Sequence, residues 1–275
     1  MTPPIERTEV LVPGPAEALA ALLDVPLPDI VEGLPLLWHW IYLLDRPAQR
    51  DLGADGHPTH GGIPEPPEPG RRRMFAGGQV RTLAPLRVGE PATRRTEVVD
   101  QQEKTGRTGR LTFVTVNHRI TQRGILVIDE RQDLVYRDAV ATAAPAQSAE
   151  LTEVPAAQDE WSVPITPTLL FRYSALTYNG HRIHYDRDYA RDIEGYPGLV
   201  THGPLQATVM AEAARARGHQ AISGLVFDHR SVAPLFDNQG LVVRANSNAD
   251  DSTTTTSVRD KYGRITAKGA LSLAH

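Results

Sequence analysis

The sequence predicts an α+β chain built as two similar halves, each an antiparallel sheet around one helix. Three observations carry this. Residues 81–137 and 221–274 both read as strands separated by glycine and polar turns. The clearest helix, PLQATVMAEAARARG at 204–218, has Pro204 at its first position and Gly218 just past its end. RTLAPL at 81–86 returns as RSVAPL at 230–235, each followed by a glycine turn and three strands, as a duplicated unit would be. Such halves would pack as pseudo-two-fold partners, like an isologous dimer within one chain.

In chain order, residues 1–14 are polar and proline-containing, and read as an arm. PAEALAALLD (15–24) is a short helix with proline at its start, where a missing N–H costs nothing. VPLPDIVEGLP (25–35) is a loop. LLWHWIYLLD (36–45) is apolar throughout and long for a strand, so it reads as a buried helix with His39 as a satisfied core histidine. Residues 46–80 are rich in glycine and proline and lack periodicity, which marks a functional loop. Its Arg71-Arg72-Arg73 run is either a solvated face or an anion clamp. From 81 the pattern turns to strands. Thr112, Val114 and Val116 share one face, and Leu111, Phe113 and Thr115 the other. Residues 138–160 are alanine-rich and acidic and read as a linker between a first half, 1–137, and a second half, 161–275.

Composition narrows the function. The chain has 275 residues, 40% hydrophobic and 23% charged, enough for one large or two smaller domains. Its net charge of −4 gives no general attraction to nucleic acid or acidic membranes. The absence of cysteine excludes a disulfide framework and thiolate zinc sites. There is no signal-peptide pattern at the N-terminus and no apolar run long enough to span a bilayer, so a cytoplasmic protein is expected.

The chemistry concentrates in FRYSALTYNGHRIHYDRDYARDIEGYPGLVTHGPL (171–205), which holds three of the ten histidines and ends on the start of the clear helix. Polar groups crowded against a helix N-terminus are what acid/base catalysis with an oxyanion hole requires. Imidazole titrates near neutrality, so His184 is the candidate base. Gly203 offers a backbone N–H, backed by the helix dipole, and lacks a Cβ that would block a ligand. Asp186 more readily fixes local backbone or an arginine than moves protons. His181, His184 and Asp186 could also ligate a metal, but spacing of three on an irregular segment is weak support.

TYNGHRIHYDRDYA (177–190) followed by THGPL (201–205) resembles the signature of the MaoC-like, or (R)-specific enoyl-CoA hydratase, family. His184, Asp186, Tyr189, Ala190, His202 and Gly203 fall on the pattern. The first half, with DGHP (55–58) and RRRMFAGG (71–78), resembles the degenerate half of double hot-dog members. The nearest branch resembles mesaconyl/itaconyl-CoA hydratase and 3-hydroxyacyl-thioester dehydratase. The resemblance implies a double hot-dog, with residues 161–275 carrying the hydratase motif. It also implies a hydro-lyase that interconverts enoyl and 3-hydroxyacyl thioesters of CoA or a carrier protein, with no metal or redox cofactor. It implies His184, Asn179, Gly203 and His181 as catalytic residues. Here the sequence departs from the pattern: Asn179 stands where the family has its aspartate, and His181 where it has asparagine. Asparagine cannot take a proton but can hold a water, so His184 is left as the main base, with His181 assisting. Arg71, Arg72, Arg73, Arg172, Tyr178 and His202 are the candidate substrate-binding residues, although His202 serves equally well to hold the turn. The rivals are a thioesterase on the same fold, a non-catalytic acyl-thioester binder, and a repurposed dehydratase or isomerase. Either a monomer or a homodimer fits.

Overall fold

The computed structural model describes residues 3–59, 66, 71–106, 109–137, 152–247 and 253–273. Its strands are β1 (Ile5–Val10), β2 (Arg72–Thr82), β3 (Pro91–Gly106), β4 (Gly109–Gln122), β5 (Ile125–Arg137), β6 (Glu160–Val163), β7 (Leu225–Ser231), β8 (Leu241–Ser247), β9 (Thr253–Arg259) and β10 (Ile265–Leu273). They form one antiparallel sheet in the order β1-β3-β4-β5-β2-β7-β10-β9-β8-β6. Adding five to each number on one side of the β2–β7 junction gives the order on the other. The two halves of the double hot-dog are therefore joined edge to edge through β2 and β7. RTLAPL and RSVAPL sit at equivalent places: each begins on the last two residues of β2 or β7. Each is followed by a turn with a left-handed glycine, Gly89 at φ 93° or Gly240 at φ 67°, and then by the next strand.

The helices are α1 (Pro13–Leu23), α2 (Pro167–Leu176) and α3 (Gly203–Ala216). Nine of the fourteen residues of α3 are buried, including Gln206, Thr208 and Glu212, so this helix is enclosed rather than laid on a surface. It packs on β8, β9, β10 and β7, and on β2 of the other half. Its buried polar groups are paired: Thr266 Oγ1 donates to Gln206 at 2.7 Å, and Arg215 meets Glu212 at 2.6 Å. Among the described residues the first half has no counterpart of α3. Its α1 packs against α2. No described helix is long and apolar enough to cross a membrane.

Several sequence expectations change. The 1–14 arm contains β1, paired along its length with β3. Residues 36–45 are not a helix. They form a short 3₁₀ turn, Trp38–Ile41, flanked by Leu37 and Leu43 in left-handed backbone at φ 69° and 54°. The run is apolar because it is wedged between the halves: Trp38 is fully buried and donates its indole N–H to Glu212 on α3 at 2.8 Å. The loop expected over 46–80 ends at Arg71, since β2 begins at Arg72. Two glycines and a bulge between Phe75 and Gly77 hide that strand's period. Helix α2 was not anticipated, although Thr166, which accepts from Leu169 N–H, and Pro167 form a recognisable helix start. The alternation at 111–116 holds, with Thr112, Val114 and Val116 buried and Phe113 exposed. Of the expected 138–160 linker, residues 138–151 lie outside the described residues.

Trp38→Ala should lower unfolding free energy by roughly 3–5 kcal/mol, the usual cost of deleting a buried aromatic; equilibrium urea denaturation measures it.

Candidate active site

A cleft of about 2670 Å³ runs between the halves and is lined by residues of both. On the second-half side, α2 ends at Leu176, and Tyr178 takes left-handed backbone at φ 52°. The chain then turns through Asn179, whose Oδ1 accepts the His181 N–H at 3.0 Å. This short polar turn leads into the 3₁₀ turn Arg182–His184. Asp186 locks the segment that follows. It accepts the Tyr189 N–H and pairs with Arg182 at 2.8 Å, so its carboxylate is occupied with structure.

His184 is buried. Its Nδ1 donates to the Val200 carbonyl at 2.7 Å, which leaves Nε2 as the acceptor. Behind it, His202 stacks on its ring at 3.7 Å between centroids and is held by Ser174 Oγ at 2.9 Å from Nε2. Tyr173 covers His202 edge-on. Burial pushes the His184 pKa down to about 4, against a smaller upward pull from the Val200 carbonyl. Burial also holds His181 and His202 well below the ordinary imidazole value. These rings are therefore neutral at neutral pH, as a proton acceptor must be.

Gly203 opens α3, where the first N–H groups have no intrahelical partner. A Cβ there would lie 2.7 Å from Phe75 Cδ1, so only glycine fits against β2 without displacing that ring. Gly203, His184, His181 and Asn179 all line the cleft.

The first half contributes more than sequence reasoning found. Residues 53–58 fold onto the polar turn of the second half. Arg182 N–H donates to Asp55 O at 2.8 Å, and Arg182 Nη1 donates to Ala54 O at 3.0 Å. At Gly56, φ 87°, a Cβ would lie 1.9 Å from the Gly180 carbonyl oxygen. This contact sets the His57 ring 4.0 Å from that of His181. Asp55 binds His57 twice, at its backbone N–H (2.9 Å) and its Nδ1 (3.2 Å). Asp55, His57 and His181 have potential ligand atoms within 4.8 Å of one another. The bonds between Asp55 and His57 already account for this arrangement as a hydrogen-bonded pair beside a packed ring. The DGHP motif was the available signal, but it stands more than 120 residues from the histidines it joins.

A second buried group was also missed. Glu130 accepts from His39 Nε2 (2.8 Å), Trp40 Nε1 (2.8 Å) and Gln132 Nε2 (2.6 Å). Burial alone would raise its pKa, but these donors hold it well below the usual carboxylate range. His39 is buried as expected but only half satisfied, since its Nδ1 has no hydrogen-bond partner, and it also lines the cleft.

The arginines separate. Arg71 is buried and donates to the carbonyls of Arg110 and Tyr136. Arg72 pairs with Glu194 at 2.7 Å and caps the carbonyls of Ile193 and Glu194. Both therefore hold bonds to the protein, and both also line the cleft. Arg73 lines the cleft, and its charge depresses the pKa of both His57 and His181. It makes no ion pair with any described residue. Arg172 is exposed on α2 and does not line the cleft. His202, with no exposed surface, stacks behind His184 and does not line the cleft either. Tyr178 is 55% exposed at the rim.

Fold and cleft together define a double hot-dog enzyme of the hydratase/dehydratase class. The chain matches the family model Hydroxyacyl-thioester dehydratase type 2 over residues 37–237, and it belongs to that family. It is 48% identical to mesaconyl-C(4)-CoA hydratase of Chloroflexus aurantiacus, over 86% of this chain and 83% of that protein. It is 26% identical to the mitochondrial hydroxyacyl-thioester dehydratase type 2 of Schizosaccharomyces pombe, over 86% and 85%. Among solved structures, a MaoC-like dehydratase from Phytophthora capsici superposes with a TM-score of 0.73 at 13% identity, covering 100% of this chain and 95% of the other.

The buried histidines set an acid limit on stability. His118, His184 and His229 are each pushed down to about 4 by burial. Below about pH 6.5 the unfolded chain protonates them while the folded one does not, so their contribution is present above that pH and lost as pH falls through 4. Thermal unfolding scans should show a plateau near neutrality and a Tm that drops across pH 6.5 to 4.

Proposed function

We propose that the cleft hydrates the enoyl thioester of a small dicarboxylic acid carried on CoA, and runs the reverse dehydration. The observation that carries this is His184: its Nδ1 is fixed on the Val200 carbonyl and its ring is kept neutral, beside the N-terminus of α3. The thioester carbonyl lies against the Gly203 N–H, where partial positive charge stabilises an enolate oxygen. Asn179 has its Oδ1 occupied by the His181 N–H, so its free end is the amide donor. That donor holds the oxygen of the attacking water. His184 Nε2 takes a proton from this water as its oxygen bonds to Cβ, and the double-bond pair moves toward the thioester carbonyl. His181 walls the site between the two halves. No step calls on a metal or redox cofactor.

The 48% identity to a mesaconyl-C(4)-CoA hydratase supports a dicarboxylic acyl group. Arg73 fits the second carboxylate: it lines the cleft beside His57 and His181 and, like Arg137, makes no ion pair with a described residue.

His184→Ala should lower kcat for mesaconyl-CoA hydration about 10²–10⁴-fold, the usual share of one acid/base group, with KM little changed; loss of enoyl-thioester absorbance follows it. An unchanged kcat would remove His184 as the base. Arg73→Ala should raise KM for the dicarboxylic thioester roughly 10–100-fold, the worth of a charge-assisted bond. Crotonyl-CoA, with no second carboxylate, should be affected much less. Equal effects on both substrates would show that Arg73 does not read the carboxylate.

A further inference from the structure

We propose that His57, oriented by Asp55, is a second catalytic acid/base residue of this site, supplied by the first half of the chain. The inference rests on the hydratase reading above. Adding water across a double bond requires two proton movements at different atoms: one from the water that attacks Cβ, one onto Cα. Within the polar turn of the second half, Asn179 can hold a water but cannot exchange a proton. His184 answers one of the two needs.

His57 has the geometry for the other. Its Nδ1 faces the Asp55 carboxylate at 3.2 Å, which leaves Nε2 as the reacting nitrogen, in the way that the Val200 carbonyl sets His184. Its position is fixed by backbone rather than side-chain chance. Asp55 O accepts from Arg182 N–H, and Gly56 meets the Gly180 carbonyl too closely for any other residue. The imidazoles then run in order across the seam, His57 to His181 at 4.0 Å and His181 to His184 at 5.4 Å. His57 lines the same cleft as Gly203 and Asn179.

The two bases differ in one respect that assigns their roles. A residue that starts the hydration cycle protonated needs a counter-charge. Burial lowers the His57 pKa, but the Asp55 carboxylate pulls it up and can pair with the imidazolium, whereas His184 is bonded to a neutral carbonyl and stacked on a neutral ring. In hydration, His184 Nε2 takes one proton from water, and the remaining hydroxide bonds to Cβ. The C=C pair becomes the enolate held at Gly203. His57 imidazolium then gives its Nε2 proton to Cα, and the carbonyl reforms. His184 is left protonated and His57 neutral. His184 releases its proton to solvent and His57 takes one up, so the net change is one water added. Dehydration reverses each step, with His57 removing the Cα proton.

The test separates the two proton transfers in the full-length protein. Hydration of mesaconyl-CoA is measured beside exchange of the Cα hydrogens of butyryl-CoA and methylsuccinyl-CoA with D₂O, which have no double bond to hydrate. His57→Gln should lose both hydration and exchange about 10²-fold or more, with its affinity for butyryl-CoA within a few-fold of wild type. That retained affinity shows a folded site. His184→Gln should lose hydration and keep exchange. Asp55→Asn should lower kcat with little change in KM and move the alkaline fall of the hydration profile to lower pH, because the carboxylate favours the protonated His57. The proposal is overturned if His57→Gln hydrates within about threefold of wild type, a difference well under 1.4 kcal/mol. It is overturned if exchange survives in His57→Gln and vanishes in His184→Gln. It is also overturned if a chelator abolishes turnover and zinc restores it, since those side chains would then be ligands. If wild type hydrates no thioester, the underlying function falls and this assignment with it; wild-type hydration with an inert His57 sinks this assignment alone.

Discussion

The pairing of β2 with β7 is the constraint on which the rest depends. It turns two five-strand halves into one sheet, and it brings two glycines to the seam. A Cβ at Gly77 would sit 2.2 Å from the His229 carbonyl oxygen, and one at Gly78 would sit 2.0 Å from that of Arg131. At Gly77 the approach is to the partner half; at Gly78 it is to β5, so the strand is tight on both flanks. The bulge just before the glycines directs Phe75 against Gly203 and carries Arg73 to the cleft. The junction that holds the halves together also packs Phe75 against the first residue of α3.

From this seam follows an asymmetry. The second half has a long central helix whose N-terminus, at Gly203, lines the cleft. Among its described residues the first half has α1 and two short 3₁₀ turns, Trp38–Ile41 and Gln49–Asp51, and the cleft runs between the halves. Trp38 and Glu212 tie the first half to the central helix of the second.

The cleft handles charge in two ways. At one end, rings without carboxylate partners are held neutral by burial, as His184 and His202 are. At the other, Glu130 keeps its charge because three donors surround it. His57 is lowered too, chiefly by burial and further by Arg73, with Asp55 pulling the other way.

The sequence by itself determined the duplicated β-rich plan, helix α3 with Pro204 and Gly203 at its start, and His184 in its motif. Each of these is local: a period, a cap or a spacing can be read over a few residues. It also showed that Asn179 could not be a proton acceptor. Only the tertiary structure decided that Arg71 and Arg72 are spent on backbone carbonyls and Glu194, that His202 backs His184, and that residues 36–45 bridge the halves instead of coiling. The same is true of the meeting of Asp55 and His57 with His181. These are contacts between segments far apart in the chain, made by a sheet junction whose glycines and bulge erase the very periodicity that would have announced it.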